Sequence, residues 1–194
     1  MPAYMDVIGS VVAGTFIIIT IIYSIFNIQR MNHNISTLLL LNNTANTMTD
    51  VIDLMYLEPV ARNLGRDEEA IIRATSNEFR FRKRVVDEGD LMEYHLQTVA
   101  DASGNISFIV REVNAGVTGT GTEVFNSAPF FIQSGDVFSY FNRHGNPTDT
   151  LSAIHGIKVD FVYVKPGWNA ESDEILYPIT FWRYFKNIYL RTFR

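Results

Sequence analysis

Residues 7–28 read VIGSVVAGTFIIITIIYSIFNI, 22 positions without a charged side chain. At a helical rise of about 1.5 Å per residue such a run reaches about 30 Å, the hydrocarbon thickness of a bilayer. Pro2 suits a first helical turn, and Asp6 suits the positive end of the helix dipole. Thr15 and Thr20 inside the run are compatible with lipid, because hydroxyls bond back to carbonyls of the preceding turn. A cleaved secretory signal has a basic front, an apolar stretch of about 7–15 residues and a small-residue cleavage site. This run has no Lys or Arg before it, is longer, and continues into a helical pattern. The expectation is a membrane-spanning helix. Arg30 alone votes weakly for a cytoplasmic body.

Downstream, Ile35, Leu38, Leu39, Leu41, Ala45, Met48, Val51, Ile52 and Met55 recur at spacings of mostly three and four. That period predicts an amphipathic continuation of the same helix. Asn and Thr fill the intervening positions and are mediocre helix formers, so packing must hold this half. Pro59 predicts its end. A helix from about Asp6 to Leu57 would be roughly 75 Å long, with its first half in the bilayer and its second half on a folded domain. The chain therefore divides into a transmembrane half-helix (1–30), an amphipathic half with its connection (31–65) and a globular body (66–194).

The 194 residues are 47% hydrophobic, enough for one core of ordinary size. No cysteine is present, which excludes a disulfide scaffold, thiol catalysis, thiolate zinc sites and iron–sulfur ligation. Residues 1–30 contain one acid and one base, so the net charge of −5 lies in the body. An acidic body is a poor match for nucleic acid, and no nucleic-acid partner is expected.

In the body, Asp67-Glu68-Glu69 ahead of Ala70, Ile71 and Ile72 predicts the acid-rich first turn of a short helix. Strands are predicted over 77–85, 92–99, 106–113, 137–142, 157–165 and 176–193. In the first, Phe79 and Phe81 alternate with Arg80, Arg82 and Arg84. Turns or loops are predicted at 101–105, 118–122, 143–147 and 166–167. The fold class is α+β: a long N-terminal helix whose apolar stripe packs on a mostly antiparallel sheet of five or six strands.

His33, His95, His144 and His155 lack the spacing of a metal site, and no HExxH, GxSxG or Walker motif occurs. The glycines of 115–121 lack the lysine and following helix of a phosphate loop. Asp87, Glu88 and Asp90, and likewise Asp101, Ser103 and Asn105, lack the register of a calcium loop and read as solvated turns. Arg80, Arg82, Lys83 and Arg84 read as a solvated or ion-paired strand face. No catalytic residue, metal or cofactor is expected.

A helix-first chain, half in the membrane and followed by a sheet, resembles the subunits of type IV pili and type II secretion pseudopili. The body is most similar to the minor pilins and minor pseudopilins that cap such filaments. The likeness is carried by the order of an Ala70–Thr75 helix, Asn77-Glu-Phe-Arg-Phe81, the acidic 87–90 turn and Met92-Glu-Tyr-His-Leu96. Phe108-Ile-Val-Arg-Glu-Val-Asn114, Val137-Phe-Ser-Tyr-Phe141, residues 154–164 and a last strand ending Asn187-Ile-Tyr-Leu-Arg191 complete it. The resemblance implies a structural subunit of the bacterial inner membrane, with its body in the periplasm or outside on a filament. Its partners would be other pilin-like subunits through the helix, membrane lipid, and cargo or a surface ligand on the sheet.

The family's basic leader and its Gly-Phe junction do not precede the apolar run here. The family's intramembrane glutamate lies four residues beyond the mature N-terminus, and Asp6 lies four residues beyond Pro2. Asp6 therefore either takes that glutamate's part, pairing with a neighbour's amine, or caps the helix. Gly9, Ser10, Ala13 and Gly14 supply the small side chains that let helices approach closely in lipid. The alternative reading is a single-pass tethered binding or sensor domain, with a ligand on the aromatic strands 137–141 and 177–193.

Overall fold

The computed structural model describes residues 2–85, 89–100, 106–114, 121–127, 136–165 and 175–192. It separates into two units, Met1–Leu40 with Lys165–Ile175, and Leu41–Val164 with Leu176–Arg194. Helix α1 (Pro2–Asp50) supplies most of the first unit and continues into the second. A π-helical segment, Val51–Leu57, follows it, with Glu58 N–H donating to the Asp53 carbonyl five residues back. The expected helix and its end before Pro59 are thus present.

In the first unit the apolar side chains of α1 lie open. Phe16 is 67% exposed, and Ile17, Ile18, Ile19, Ile21 and Phe26 are likewise exposed. The helix is long and apolar enough to span a membrane, with a mean hydropathy of 2.2 over its most apolar window.

The second unit holds eight strands among the described residues, in two sheets rather than the expected one. Sheet A runs in sequence order: β1 (Ile71–Thr75), β2 (Glu78–Arg84), β3 (Leu91–Ala100), β4 (Ile106–Asn114) and β5 (Thr122–Asn126), each antiparallel to the next. Sheet B contains β6 (Phe138–Phe141), β7 (Gly156–Lys165) and β8 (Ile175–Tyr184), in that order. A short helix, α2 (Lys186–Thr192), closes the chain.

Three elements depart from expectation here. Residues 71–75 form strand β1, not a helix. Ile71, Ile72 and Thr75 are β-branched and pair against β2 better than they would fill a helical turn. Beyond the connection expected over 118–122, residues 122–126 form a strand not expected from the sequence, β5, seated by the pairs Val110↔Phe125 and Arg111↔Glu123. The strand expected over 176–193 stops at Tyr184, and residues 186–192 turn into α2. Phe185 is buried, and the Ile188 and Tyr189 N–H groups both donate to its carbonyl, a helical spacing that the aromatic run concealed.

The core of this unit is aromatic. Phe79 is fully buried and stacks on Phe81 at 5.4 Å, Tyr140 at 5.7 Å and Phe185 at 5.6 Å, so one ring joins β2, β6 and the entry to α2. Phe108 meets Phe138 and Phe161 of sheet B at 5.9 and 5.3 Å. Of the expected stripe, Leu41, Ala45, Met48 and Ile52 are buried, whereas Ile35, Leu38, Leu39 and Met55 are exposed. Tyr56 and Leu57, outside that stripe, are buried as well, with Tyr56 against Tyr94 and Phe125. Tyr140 O–H donates to the Thr75 carbonyl, and Val137 and Phe138 N–H both donate to the Ser76 carbonyl. The β1–β2 turn thereby seats β6.

Because Phe79 has ring partners on three elements, Phe79→Ala should cost about 3–5 kcal/mol. A fall in the denaturant midpoint of the detergent-solubilised chain, with unchanged slope, is the readout; a midpoint within error of the parent's contradicts this core assignment.

Candidate functional site

Helix α1 fixes where the proposed assembly residues stand. It starts at Pro2, so Asp6 is its fifth residue, inside the helix rather than at its cap, and its side chain is exposed. The capping role for Asp6 is therefore set aside. Asp6, Gly9 and Ala13 follow at spacings of three and four and share one helix face, with Ser10 and Gly14 beside them. A Cβ built on Gly9 or Gly14 meets nothing within 4 Å. These glycines do not relieve crowding within the chain; they leave a shallow strip on its surface.

The serine and threonine hydroxyls of the apolar run bond back to its own backbone. Ser10 donates to the Val7 carbonyl at 2.9 Å, Thr15 to Val11, Thr20 to Phe16 and Ser24 to Thr20, each at 2.8 Å. Each polar side chain then costs little in lipid. Asp6 has no such partner among the described residues.

In the second unit the charged side chains hold the structure together. Arg80 pairs with Glu78, Arg82 with Glu93 and Arg84 with Glu68, so the basic strand face is ion-paired. Lys83 does not belong to that face. Strand alternation puts it on the Phe79 and Phe81 side, 4.3 Å above the Tyr94 ring, where burial lowers its pKa. Asp53 of the π-helical segment accepts from Arg183 of β8 through both carboxylate oxygens, and Tyr177 O–H donates to Asn42 Oδ1 at 2.7 Å. Asn187 Nδ2 donates to the Glu58 and Val60 carbonyls. Arg191 Nη2 donates to the carbonyls of Gly65, Arg66 and Glu68. These long-range bonds tie the C-terminal strand and helix to the segment after α1, and sequence spacing gave no sign of them.

A half-open cleft of about 640 Å³ lies between α2, the 66–71 segment and the 150–154 turn. Of its ionic groups, Glu68 accepts from Gly65 N–H and Arg84, and Arg191 is engaged by three carbonyls. The Gly65 hydrogen bond leads in lowering the Glu68 pKa. These groups close the local backbone.

The histidines do not converge. His95 bonds Glu93 at 2.8 Å, His155 is buried with its Nδ1 2.9 Å from the Ala153 carbonyl, and His144 accepts from Arg143. Among the described residues no group of His, Asp and Glu has metal-site geometry. The proposed loops at 87–88, 101–105, 115–120 and 166–167 lie outside the described residues.

The aromatic strands divide between two roles. Val137, Phe138 and Tyr140 are core, as is Phe185. Alternation along β8 turns Trp182 and Tyr184 outward, 59% and 48% exposed. No protein-family model, curated protein or solved structure matches this chain.

Three buried tyrosines set an alkaline limit on stability. Burial pushes the Tyr163 phenol up to about 12 and raises Tyr140; burial, with the Glu112 hydrogen bond, raises Tyr94. Unfolded phenols ionise near pH 10. Above that pH the unfolded state releases protons that the folded state keeps, so the stability present below about pH 10 is lost as pH rises toward about 12. Denaturant midpoints should fall steeply above about pH 10, and Tyr163→Phe should flatten part of that fall. A level profile up to about pH 11.5 contradicts the burial of these phenols.

Proposed function

We propose that this chain is a membrane-inserted structural subunit, assembled through α1 into a helix-first filament of the type IV pilus or type II secretion pseudopilus kind, in a minor, tip position. The observation that carries the reading is the contrast along one helical run. From Tyr4 to Leu40 the apolar side chains face outward, whereas Leu41, Ala45, Met48, Ile52 and Leu57 are buried in the body. An isolated anchor needs only the lipid-facing half. A helix that is half anchor and half integral to the folded body is what a filament needs, because it joins each body to a bundle of neighbouring helices.

Asp6, Gly9, Ala13 and Gly14 serve assembly in this reading. A carboxylate near the start of an apolar helix, without a partner among the described residues, is neutralised by the amine of an adjacent subunit. The strip of small residues admits that neighbour's helix. Insertion is in the bacterial inner membrane, with the body in the periplasm or carried outward on the filament. A second reading, a tethered binding domain that does not polymerise, draws its support from the outward aromatics of β8.

Because the chain has no cysteine, single cysteines at Ala13, Ile21 and Ser36 report contacts cleanly. Crosslinking in native membranes should yield adducts with other helix-first membrane proteins. Asp6→Ala and Gly14→Leu should each lower adduct yield about tenfold or more, while the body keeps its protease resistance. Gly14→Leu is informative because its side chain enters open space within this chain. Adducts absent, or unchanged by both substitutions, would overturn the assembly reading in favour of the lone anchor.

A further inference from the structure

The outer face of sheet B carries more exposed ring surface than its packing uses. Phe141 of β6 and Trp182 of β8 meet at 4.5 Å between centroids, with Gly156 of β7 standing between those strands in the sheet order. A Cβ at Gly156 would lie 3.2 Å from the Arg183 carbonyl oxygen and 3.8 Å from the Tyr184 ring, so glycine lets β8 and its rings settle close. Tyr184 in turn contacts Tyr189 at 6.1 Å. Trp182 and Tyr184, two residues apart on one strand face, present rings roughly 7 Å apart along the strand.

Beside these rings sits a compact polar group. Lys158 Nζ lies 2.5 Å from Asp160 Oδ2 and 5.6 Å from the centre of the Trp182 ring, and Thr180 O–H donates to Asp160 Oδ1 at 2.5 Å. The two charges cancel. Each group also retains capacity: the ammonium has further donors, the carboxylate further lone pairs, and the Thr180 oxygen can still accept.

We propose that this face is a binding site for a neutral oligosaccharide, whose pyranose rings lie on Trp182 and Tyr184 and whose hydroxyls bond Lys158, Asp160 and Thr180. Charge complementarity selects the ligand. A charged ligand gains nothing from a cancelled pair, while a hydroxyl both donates and accepts and so meets both partners of it. A protein partner pressed over the face would have to desolvate the Lys158–Asp160 pair, whose side chains are about 30% exposed, and that desolvation is costly. A narrow sugar chain covers the rings and leaves the ion pair's flanks in water.

The test uses the full chain in lipid nanodiscs with Trp168→Phe, which leaves Trp182 as the remaining tryptophan. Cellohexaose, chitohexaose and maltohexaose are titrated separately, and Trp182 emission is recorded. At least one sugar should give a saturable change. In competition against a labelled form of that sugar, Trp182→Ala should weaken binding roughly tenfold, and Tyr184→Ala and Asp160→Asn severalfold. Far-UV circular dichroism checks that each variant is folded. No response to any of the three sugars at about 10 mM overturns the proposal. So does undiminished binding by the folded Trp182→Ala chain, or an emission change that follows protein concentration rather than sugar.

Discussion

The apolar surface that α1 leaves uncovered between Tyr4 and Leu40 constrains everything else in the chain. Each fully covered large aliphatic side chain is worth about 1.5–3 kcal/mol, and this stretch exposes more than a dozen of them. Water cannot host such a surface without aggregation, so lipid or other helices must cover it. Its serine and threonine hydroxyls at 10, 15, 20 and 24 already meet the conditions lipid imposes, since each bonds within the helix. Asp6 has no partner among the described residues, and a carboxylate so placed in an apolar helix is the kind of group that specifies a neighbour.

The second half of the helical run answers a different demand. Its stripe from Leu41 to Leu57 closes a core built largely of rings, and polar ties then lock the ends of the chain onto it. Asp53 holds Arg183, Asn42 receives Tyr177, and Asn187 bonds two carbonyls just beyond the π-helical segment. The Asn residues that make this half a mediocre helix on propensity alone therefore have work to do in packing, which offsets their intrinsic cost. The body's ionic groups are largely committed in the same way, with Glu68, Glu78 and Glu93 each matched to an arginine. The outward face of sheet B, with Trp182 and Tyr184, stays exposed.

The proposed assembly and ligand-binding roles would fall to different parts of the chain. The small-residue strip and Asp6 would act in the membrane, and the aromatic face in water. Neither requires the chemistry of an active site, and the two can be tested by separate substitutions that leave each other's readout intact.

Local pattern was sufficient for the helix, its apolar half and its end at Pro59, because a period near 3.6 and an uncharged run are properties of neighbouring residues. The same holds for β2 and for residues 92–97 of β3, where apolar and polar side chains alternate. Pattern failed where tertiary partners outweighed it. Residues 71–75 carry the acidic lead of a helix but become a strand because β2 offers them a ladder. Residues 123–126 carry no strand signal of their own and become part of a strand beside β4. Residues 186–192 continue an aromatic run but turn helical once Phe185 enters the core and Arg191 reaches three carbonyls. The division into two sheets, and the side of β8 that faces water, depend on contacts between residues far apart in sequence. The amino-acid order by itself determined that this chain has an apolar helix bearing one carboxylate and leading into an α+β body. Only the folded structure decided which rings close the core and which stay outside, because that choice is made by partners that spacing along the chain does not encode.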